Sequence, residues 1–169
     1  MTVMLAIGVP AASAAPKAKP IAASKPVPPK ILPAFEFMAH KIGDPKPSQP
    51  EAEVKSIGDI PLMTMYWQYD DTGFTGVSLY FYPSGVPAMR TTLTAKYGTP
   101  ISKIVEYTNG YGAKFSDVED EWHFREGTLT LQGVFGGRDM SAVTFDNPSA
   151  TARKDAKAAA KARDAANAL

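Results

Sequence analysis

The sequence predicts an α+β fold: a two-layer sandwich in which one main helix packs on one face of an antiparallel sheet. Two observations carry this prediction. Two runs of alternating side chains flank a turn, as in a β-hairpin, and a segment with a four-residue apolar period follows them. Further short strand-like runs with mostly short connections then indicate an antiparallel meander.

The hairpin is predicted from alternation on both sides of the turn at 70–73. Gly73 suits this turn because glycine tolerates a positive φ. In the first run the two faces hold Met63, Met65, Trp67 and Tyr69, and Thr64, Tyr66 and Gln68. In the second run they hold Val77, Leu79 and Phe81, and Ser78, Tyr80 and Tyr82.

The main helix is predicted after this hairpin. Met89, Leu93 and Tyr97 recur every four residues, which is the spacing of one helix face. Gly98 suits the left-handed position just past a helix end, and Pro100 prevents the helix from continuing. The helix should therefore end near Tyr97 and bury Leu93 and Tyr97.

The remaining strands are short. They are predicted at 35–40, 101–107, 121–125, 128–135 and 140–145. A long loop is predicted at 108–120. An acidic cluster stands at its end and is expected to be solvated, because its spacing matches no calcium-loop signature. Its members are Asp117, Glu119, Asp120 and Glu121.

Four segments are predicted along the chain. Residues 1–14 are typical of a secretory signal peptide: an apolar run at 3–9 is broken by Pro10 and followed by a small-x-small cleavage pattern at 12–14, although no Lys or Arg precedes the run. Residues 15–33 are a Pro/Ala/Lys-rich linker that should be disordered. The α+β domain spans 34–148, and 149–169 is an Ala/Lys-rich helical tail with Ser149 as its N-cap.

Charge is distributed unevenly over these segments. The linker carries +4, the domain −6 and the tail +3, which together give the net charge of +1. Basic arms of this kind usually serve as solubilising tethers, and weak contact with anionic surfaces is the alternative. Nucleic acid is not a favoured partner. No apolar run approaches the roughly 18 residues of a membrane span, so no span is predicted.

Catalytic and metal chemistry find little support in the sequence. There is no cysteine, which excludes disulfides, thiolate metal sites and cysteine nucleophiles. His40 and His123 are far apart and lack ligand-spaced partners. No nucleophile motif or phosphate-binding loop is present. We therefore predict no catalytic residues, no metal and no cofactor, and expect the protein not to be an enzyme.

Three tyrosines form the predicted binding site. Alternation places Tyr66, Tyr80 and Tyr82 on the hairpin face opposite the larger apolar set. If the apolar face packs against the helix, the tyrosine side stays exposed, and tyrosine is enriched where proteins bind partners. The alternative is that these residues cover a half-exposed sheet and bind nothing, since strands favour tyrosine in any case.

The run from Leu93 to Pro100 carries a family resemblance. Its Lys96-Tyr97-Gly98-Thr99-Pro100 ending, with Trp122 and Gly127 further on, resembles a group of small, uncharacterised exported bacterial domains. The resemblance covers about half of the chain and implies a helix followed by a β-meander. It implies no catalytic residues, and the lipid-anchoring cysteine common in that group is absent here. In outline the chain is also similar to envelope adaptors and enzyme inhibitors that bind through an open sheet face.

The sequence thus favours an exported, non-catalytic module of the cell envelope that binds another envelope or secreted protein. Two alternatives remain open. One is a structural protein associated with the wall or a polyanion through its basic arms. The other is a small hydrolase whose site the sequence does not reveal.

Overall fold

The structure is a computed structural model that describes residues 30–49, 51–108, 112–135 and 139–167. These residues form a seven-stranded sheet, a separate two-stranded hairpin and two helices. All strand pairs in both sheets are antiparallel. The α+β class is therefore confirmed. The predicted signal peptide and residues 15–29 of the predicted linker lie outside the described residues.

In chain order the strands are β1 (Glu36–Phe37), β2 (His40–Lys41), β3 (Ser56–Ile57), β4 (Ile60–Asp70), β5 (Gly73–Phe81), β6 (Ile101–Thr108), β7 (Lys114–His123), β8 (Thr128–Gln132) and β9 (Ser141–Asp146). The helices are α1 (Val86–Tyr97) and α2 (Pro148–Asn167), and a short 3₁₀ turn, Pro83–Gly85, precedes α1. The seven-stranded sheet has the order β3-β4-β5-β9-β8-β7-β6. Among the described residues, no helix combines the length and apolar character that a membrane span requires.

The β4–β5 hairpin has the predicted alternation from Thr64 to Gln68, but a register shift between Leu62 and Thr64 interrupts it, and Met63, predicted on the apolar face, is 47% exposed. Met65 lies opposite Leu79, and Tyr66 lies opposite Ser78, so the two sets of side chains occupy opposite faces. The turn residue Gly73 has φ of +111°, and a Cβ added there would lie 2.5 Å from the carbonyl oxygen of Asp44. Only glycine therefore fits this turn without displacing the neighbouring loop.

One face of the sheet and α1 bury a common core. Met89 and Leu93 of α1 are 0% and 3% exposed, and they cluster with apolar residues from β5, β7, β8 and β9. The indole Nε1 of Trp122 donates a hydrogen bond of 2.7 Å to the carbonyl oxygen of Gly98, just past the end of α1. The predicted helix end and the predicted burial of Leu93 are confirmed, while Tyr97 is half-buried.

Phe35 completes this core from the N-terminal side. Its ring stacks on that of Phe145 in β9, with centroids 3.8 Å apart, and meets Phe124 edge-on at 5.1 Å. Leu32 also belongs to the folded region: its N–H donates to the carbonyl oxygen of His123 at 2.7 Å, and it forms a parallel bridge with Phe124. The last residues of the predicted linker thus contact the domain.

Three predicted boundaries are wrong. The loop predicted at 108–120 is largely occupied by β7, which begins at Lys114. The strand predicted at 35–40 is a pair of two-residue strands joined by Met38 and Ala39, both with positive φ. The strand predicted at 128–135 ends at Gln132.

The C-terminal tail forms the predicted helix, but its N-cap is Asn147 and not Ser149. The backbone N–H of Ala150 donates to Oδ1 of Asn147 at 3.2 Å, and the N–H of Thr151 makes the first helical bond to the carbonyl oxygen of Asn147. Pro148 then occupies the first helical position, where its missing N–H costs nothing.

Candidate functional site

The seven-stranded sheet has a second face, which we call the open face, on the side away from the α1 core. The registers place on it Thr64, Tyr66 and Gln68 of β4; Ser78 and Tyr80 of β5; Ala142 and Thr144 of β9; Thr130 and Gln132 of β8; Glu119, Glu121 and His123 of β7; and Lys103 of β6. Most of these side chains are polar. Its most exposed aromatic groups are near the β4–β5 end.

Tyr66 and Tyr80 lie together at this end, and Tyr82 follows directly after β5; we call these three residues the tyrosine face. Tyr66 is 58% and Tyr82 is 55% exposed, whereas Tyr80 is half-buried. The rings of Tyr66 and Tyr80 meet edge-on with centroids 6.0 Å apart. The ring of Tyr80 also packs against that of Phe135 at 5.3 Å. The alternation thus leaves two of the three predicted site residues more than half exposed, and their binding role remains a prediction.

A hydrogen bond between two polar side chains lies beside the tyrosine face. The amide Nε2 of Gln68 donates to Oγ of Ser78 at 2.8 Å across β4 and β5. Ser78 is only 7% exposed although it lies on the open face. These two polar side chains are therefore satisfied by each other, next to the exposed ring of Tyr66.

Further along the open face, the carboxylates of β7 are bound by neighbouring strands. Lys103 of β6 places Nζ 2.8 Å from Oε1 of Glu119 and 2.6 Å from Oε1 of Glu121. Gln132 of β8 donates to Oε2 of Glu119 at 2.7 Å. The side-chain hydrogen bonds to Glu119 and then Glu121 raise the pKa of Lys103. The ammonium is thereby held in its charged form.

The prediction of a solvated acidic loop is wrong, because these residues belong to β7. Glu119 is 8% exposed and Asp120 is fully buried on the other face. Oδ1 of Asp117 accepts a bond from the N–H of Val118 at 2.8 Å, while its Oδ2 is buried with no hydrogen-bond partner in the described part of the chain. Across the described ranges, no group of three or more His, Cys, Asp or Glu residues could hold a metal ion.

His123 has contacts that invite a catalytic interpretation. Its Nε2 lies 3.3 Å from Oε2 of Glu121, and its Nδ1 lies 3.3 Å from Oγ1 of Thr128. A hydroxyl, an imidazole and a carboxylate in a row can relay a proton. However, His123 lies on the open face of β7 with its side chain 27% exposed. A relay on an open strand face lacks the enclosure that acid–base catalysis uses.

His40 is engaged in a different cluster. Its ring packs on that of Trp67 with centroids 4.4 Å apart, and its Nε2 lies 3.6 Å from Oε1 of Glu51. The same carboxylate oxygen accepts a 2.6 Å bond from the hydroxyl of Tyr69. Burial and then this bond to Glu51 raise the pKa of Tyr69 to about 12. The two histidines thus contact different residues, and the structure does not bring them into one site.

A cleft of about 700 Å³ separates the N-terminal half of α2 from the β4–β5 turn, with Trp67 in its lining. Two of its cations are paired with carboxylates across it. Arg153 Nη2 lies 2.7 Å from Oδ2 of Asp70, and Lys157 Nζ lies 3.0 Å from Oδ2 of Asp71. These two ion pairs therefore hold α2 against the hairpin. The contact was not predicted from the sequence because α2 has no apolar stripe.

No family model, curated protein or solved structure matches this chain. The resemblance to small exported bacterial domains therefore stays a prediction. What the protein does has to be inferred from the surfaces described above.

Proposed function

We propose that this protein is an exported, non-catalytic module that binds another envelope or secreted protein through Tyr66, Tyr80 and Tyr82. One observation carries the proposal: Tyr66, on the sheet face that does not hold the α1 core, and Tyr82, directly after β5, are both more than half exposed. Large aromatic side chains that the fold itself does not bury are enriched at contact centres.

The surroundings of the tyrosine face favour binding over simple coverage of the sheet. Tyr80 is wedged between Tyr66 and Phe135, so the middle ring has little freedom left to lose. Binding costs less when the contact residues are already ordered. The phenol hydroxyls of Tyr66 and Tyr82 can also donate hydrogen bonds at the edge of an apolar contact.

The proposal includes export and the layout of the chain. In it, residues 1–14 are removed as a signal peptide, 15–33 act as a spacer, and α1 and the sheet form the two layers of a sandwich that presents the tyrosine face. Mass spectrometry of the protein recovered from the envelope or medium should find a new N-terminus at Ala15. An intact Met1 on protein that stays in the cytosol contradicts the export part of the proposal.

Two other functions have weaker support. Binding of a polyanion by the tail is weakened because two of its five cations, Arg153 and Lys157, are already paired with Asp70 and Asp71. Hydrolysis would need an enclosed site, and the arrangement around His123 lies on an open strand face. Neither is proposed here.

The test is capture of a partner from an envelope extract with the full chain on a support. Tyr66→Ser, Tyr80→Ser and Tyr82→Ser are combined in one variant. The matched control combines Ile31→Ser, Met38→Ser and Val118→Ser, three exposed apolar side chains outside the tyrosine face. We expect wild type and control to retain the same protein, and the tyrosine variant to lose it while still unfolding cooperatively.

Two results contradict the proposal. If the folded tyrosine variant still captures the same protein, the contact surface lies elsewhere on the chain. If that variant does not fold, the tyrosines stabilise the sheet, and their exposure does not mark a binding surface.

A further inference from the structure

Strand β6 forms one edge of the seven-stranded sheet and is unusually regular. All eight of its residues pair with β7, from Ile101 opposite Glu121 to Thr108 opposite Lys114, without a register shift. In the described part of the chain, no strand pairs with its outer side. At the opposite edge, by contrast, β3 has two residues and the β4–β5 pairing contains two register shifts.

The usual protections of a sheet edge are weak at β6. Edge strands commonly avoid pairing with other chains by being short, bulged, or guarded by proline or an outward lysine. β6 contains no proline, and its one lysine, Lys103, turns back to the carboxylates of Glu119 and Glu121 on β7. The lysine charge is thereby neutralised within the chain and does not guard the edge.

β6 also exposes apolar side chains. Ile104 is 77% exposed and Ile101 is 43% exposed, and they lie on opposite faces of the strand. Val118, paired with Ile104 in the sheet, adds a further 37%-exposed side chain beside it. A long, unbulged edge with exposed isoleucines is the feature that most often accepts another strand.

We propose that β6 pairs with β6 of a second copy of this chain, antiparallel, about a two-fold axis that passes beside Ile104. If this axis is perpendicular to the sheet, each sheet face lies on the same side of the dimer in both copies. Residues directly opposite one another across the new pair must therefore lie on the same face. Ile104 then lies opposite Ile104 of the second copy, Ser102 opposite Glu106, and Ile101 opposite Tyr107.

The identity of the occupant follows from this self-complementarity. In the Ile104-centred register each exposed isoleucine meets an apolar or aromatic side chain, and the small Ser102 side chain, whose hydroxyl is bound to Asp120, lies opposite Glu106 of the second copy. If the axis instead passes beside Val105, opposite residues again share a face, but Ile104 lies opposite the Glu106 carboxylate of the second copy. Cross-strand pairs of like character stabilise a sheet, so the first register is favoured.

The dimer would be concentration-dependent, because one pair of edge strands is smaller than a standard stable interface. A two-fold axis perpendicular to the sheet leaves the tyrosine faces of both copies on the same side. This inference rests on β6 alone and does not depend on the function proposed for the tyrosines.

Disulfide trapping in the full chain tests the pairing and its register. The chain contains no cysteine, so each introduced thiol is the only one present. Directly opposite Cα atoms in an antiparallel pair lie about 4.5–5.5 Å apart, within disulfide reach. Ile104→Cys should therefore give a covalent dimer on mild oxidation. Ser102→Cys should not, since its copy lies four residues further along the strand, roughly 13 Å away.

Sedimentation of the unoxidised protein supplies the second measurement. Ile104→Lys opposes two like charges at the axis and should weaken dimerisation roughly tenfold or more. The control Met63→Lys, at an exposed apolar residue of β4, should not. A wild-type chain that stays monomeric up to about 1 mM overturns the proposal. Equal cross-linking of the Ser102→Cys and Ile104→Cys variants also overturns it. The same holds if Ile104→Lys leaves the dimerisation unchanged.

Discussion

Nε of Arg90, on α1, donates a hydrogen bond to Oδ2 of Asp120, whose side chain is fully buried in β7. The other carboxylate oxygen accepts a 2.5 Å bond from the hydroxyl of Ser102 on β6. One buried carboxylate therefore links the helix to two strands near the β6 edge. This linkage adds a polar contact to the apolar contacts of Met89 and Leu93 that pack α1 on one face of the sheet.

We expect Arg90→Ala to destabilise the fold by about 3 kcal/mol, because it leaves the Asp120 carboxylate buried with Ser102 as its remaining side-chain donor. Urea unfolding measures the change. The control is Arg125→Ala, which removes an ion pair between the 76%-exposed Arg125 and Glu126 and should cost less than about 1 kcal/mol. A loss below about 1 kcal/mol in Arg90→Ala would show that the carboxylate does not need its partner.

Leu93→Ala should destabilise the protein by roughly 2–4 kcal/mol, through lost burial and the cavity left under α1. Leu93 is 3% exposed and belongs to the main core. Thr92→Ala, at the exposed neighbouring position, should change stability by less than about 0.5 kcal/mol. Equal losses in the two variants would mean that α1 is not anchored to the sheet by this face.

The contact between α2 and the β4–β5 turn should depend on pH. Side-chain and backbone hydrogen bonds from Thr72, and then Arg153, lower the pKa of Asp70 to about 2 from its ordinary 3.8. Because this pKa is depressed in the folded state, the contact is complete above the ordinary value and is lost as the pH falls through about 2. The NMR signal of the Arg153 Nε–H should shift over that range.

Asp70→Asn is the matched variant for this titration. It keeps the size of the side chain and removes the charge, so the acid-dependent shift of the Arg153 signal should disappear. Glu53→Gln, at an 82%-exposed carboxylate away from α2, should leave the shift intact. A signal that is unaffected by acid in the wild type would mean that α2 is not held by Asp70.

The hairpin and α1 could be predicted because local signals agree there. Alternation, a turn glycine with positive φ and a four-residue apolar period each depend on residues close in sequence. The class of the fold and the exposure of Tyr66 and Tyr82 followed from these signals. Asn147 was missed as the N-cap of α2 because Ser149, two residues later, is an equally good cap by type.

Residues 114–120 of β7 could not be predicted as strand because their stability comes from partners that are distant in sequence. Asp117, Glu119 and Glu121 make one side of the strand acidic, and Asp120 puts a charge on the core side. In sequence, such a run is typical of a solvated loop. Its partners Arg90, Lys103 and Gln132 lie beside it only in the folded chain. The docking of α2 was missed for the same reason, since it depends on charge pairs and not on an apolar stripe.

Hydroxyl-radical footprinting with the captured partner tests the proposed contact surface most directly. In the free protein, Tyr66 and Tyr82 should be oxidised faster than Tyr97, whose ring packs against Phe35 and Phe124. On binding, oxidation of Tyr66 and Tyr82 should fall severalfold while that of Tyr107 on β6 is unchanged. Unaltered oxidation of Tyr66 and Tyr82 in the complex, with protection elsewhere on the chain, would contradict the proposal.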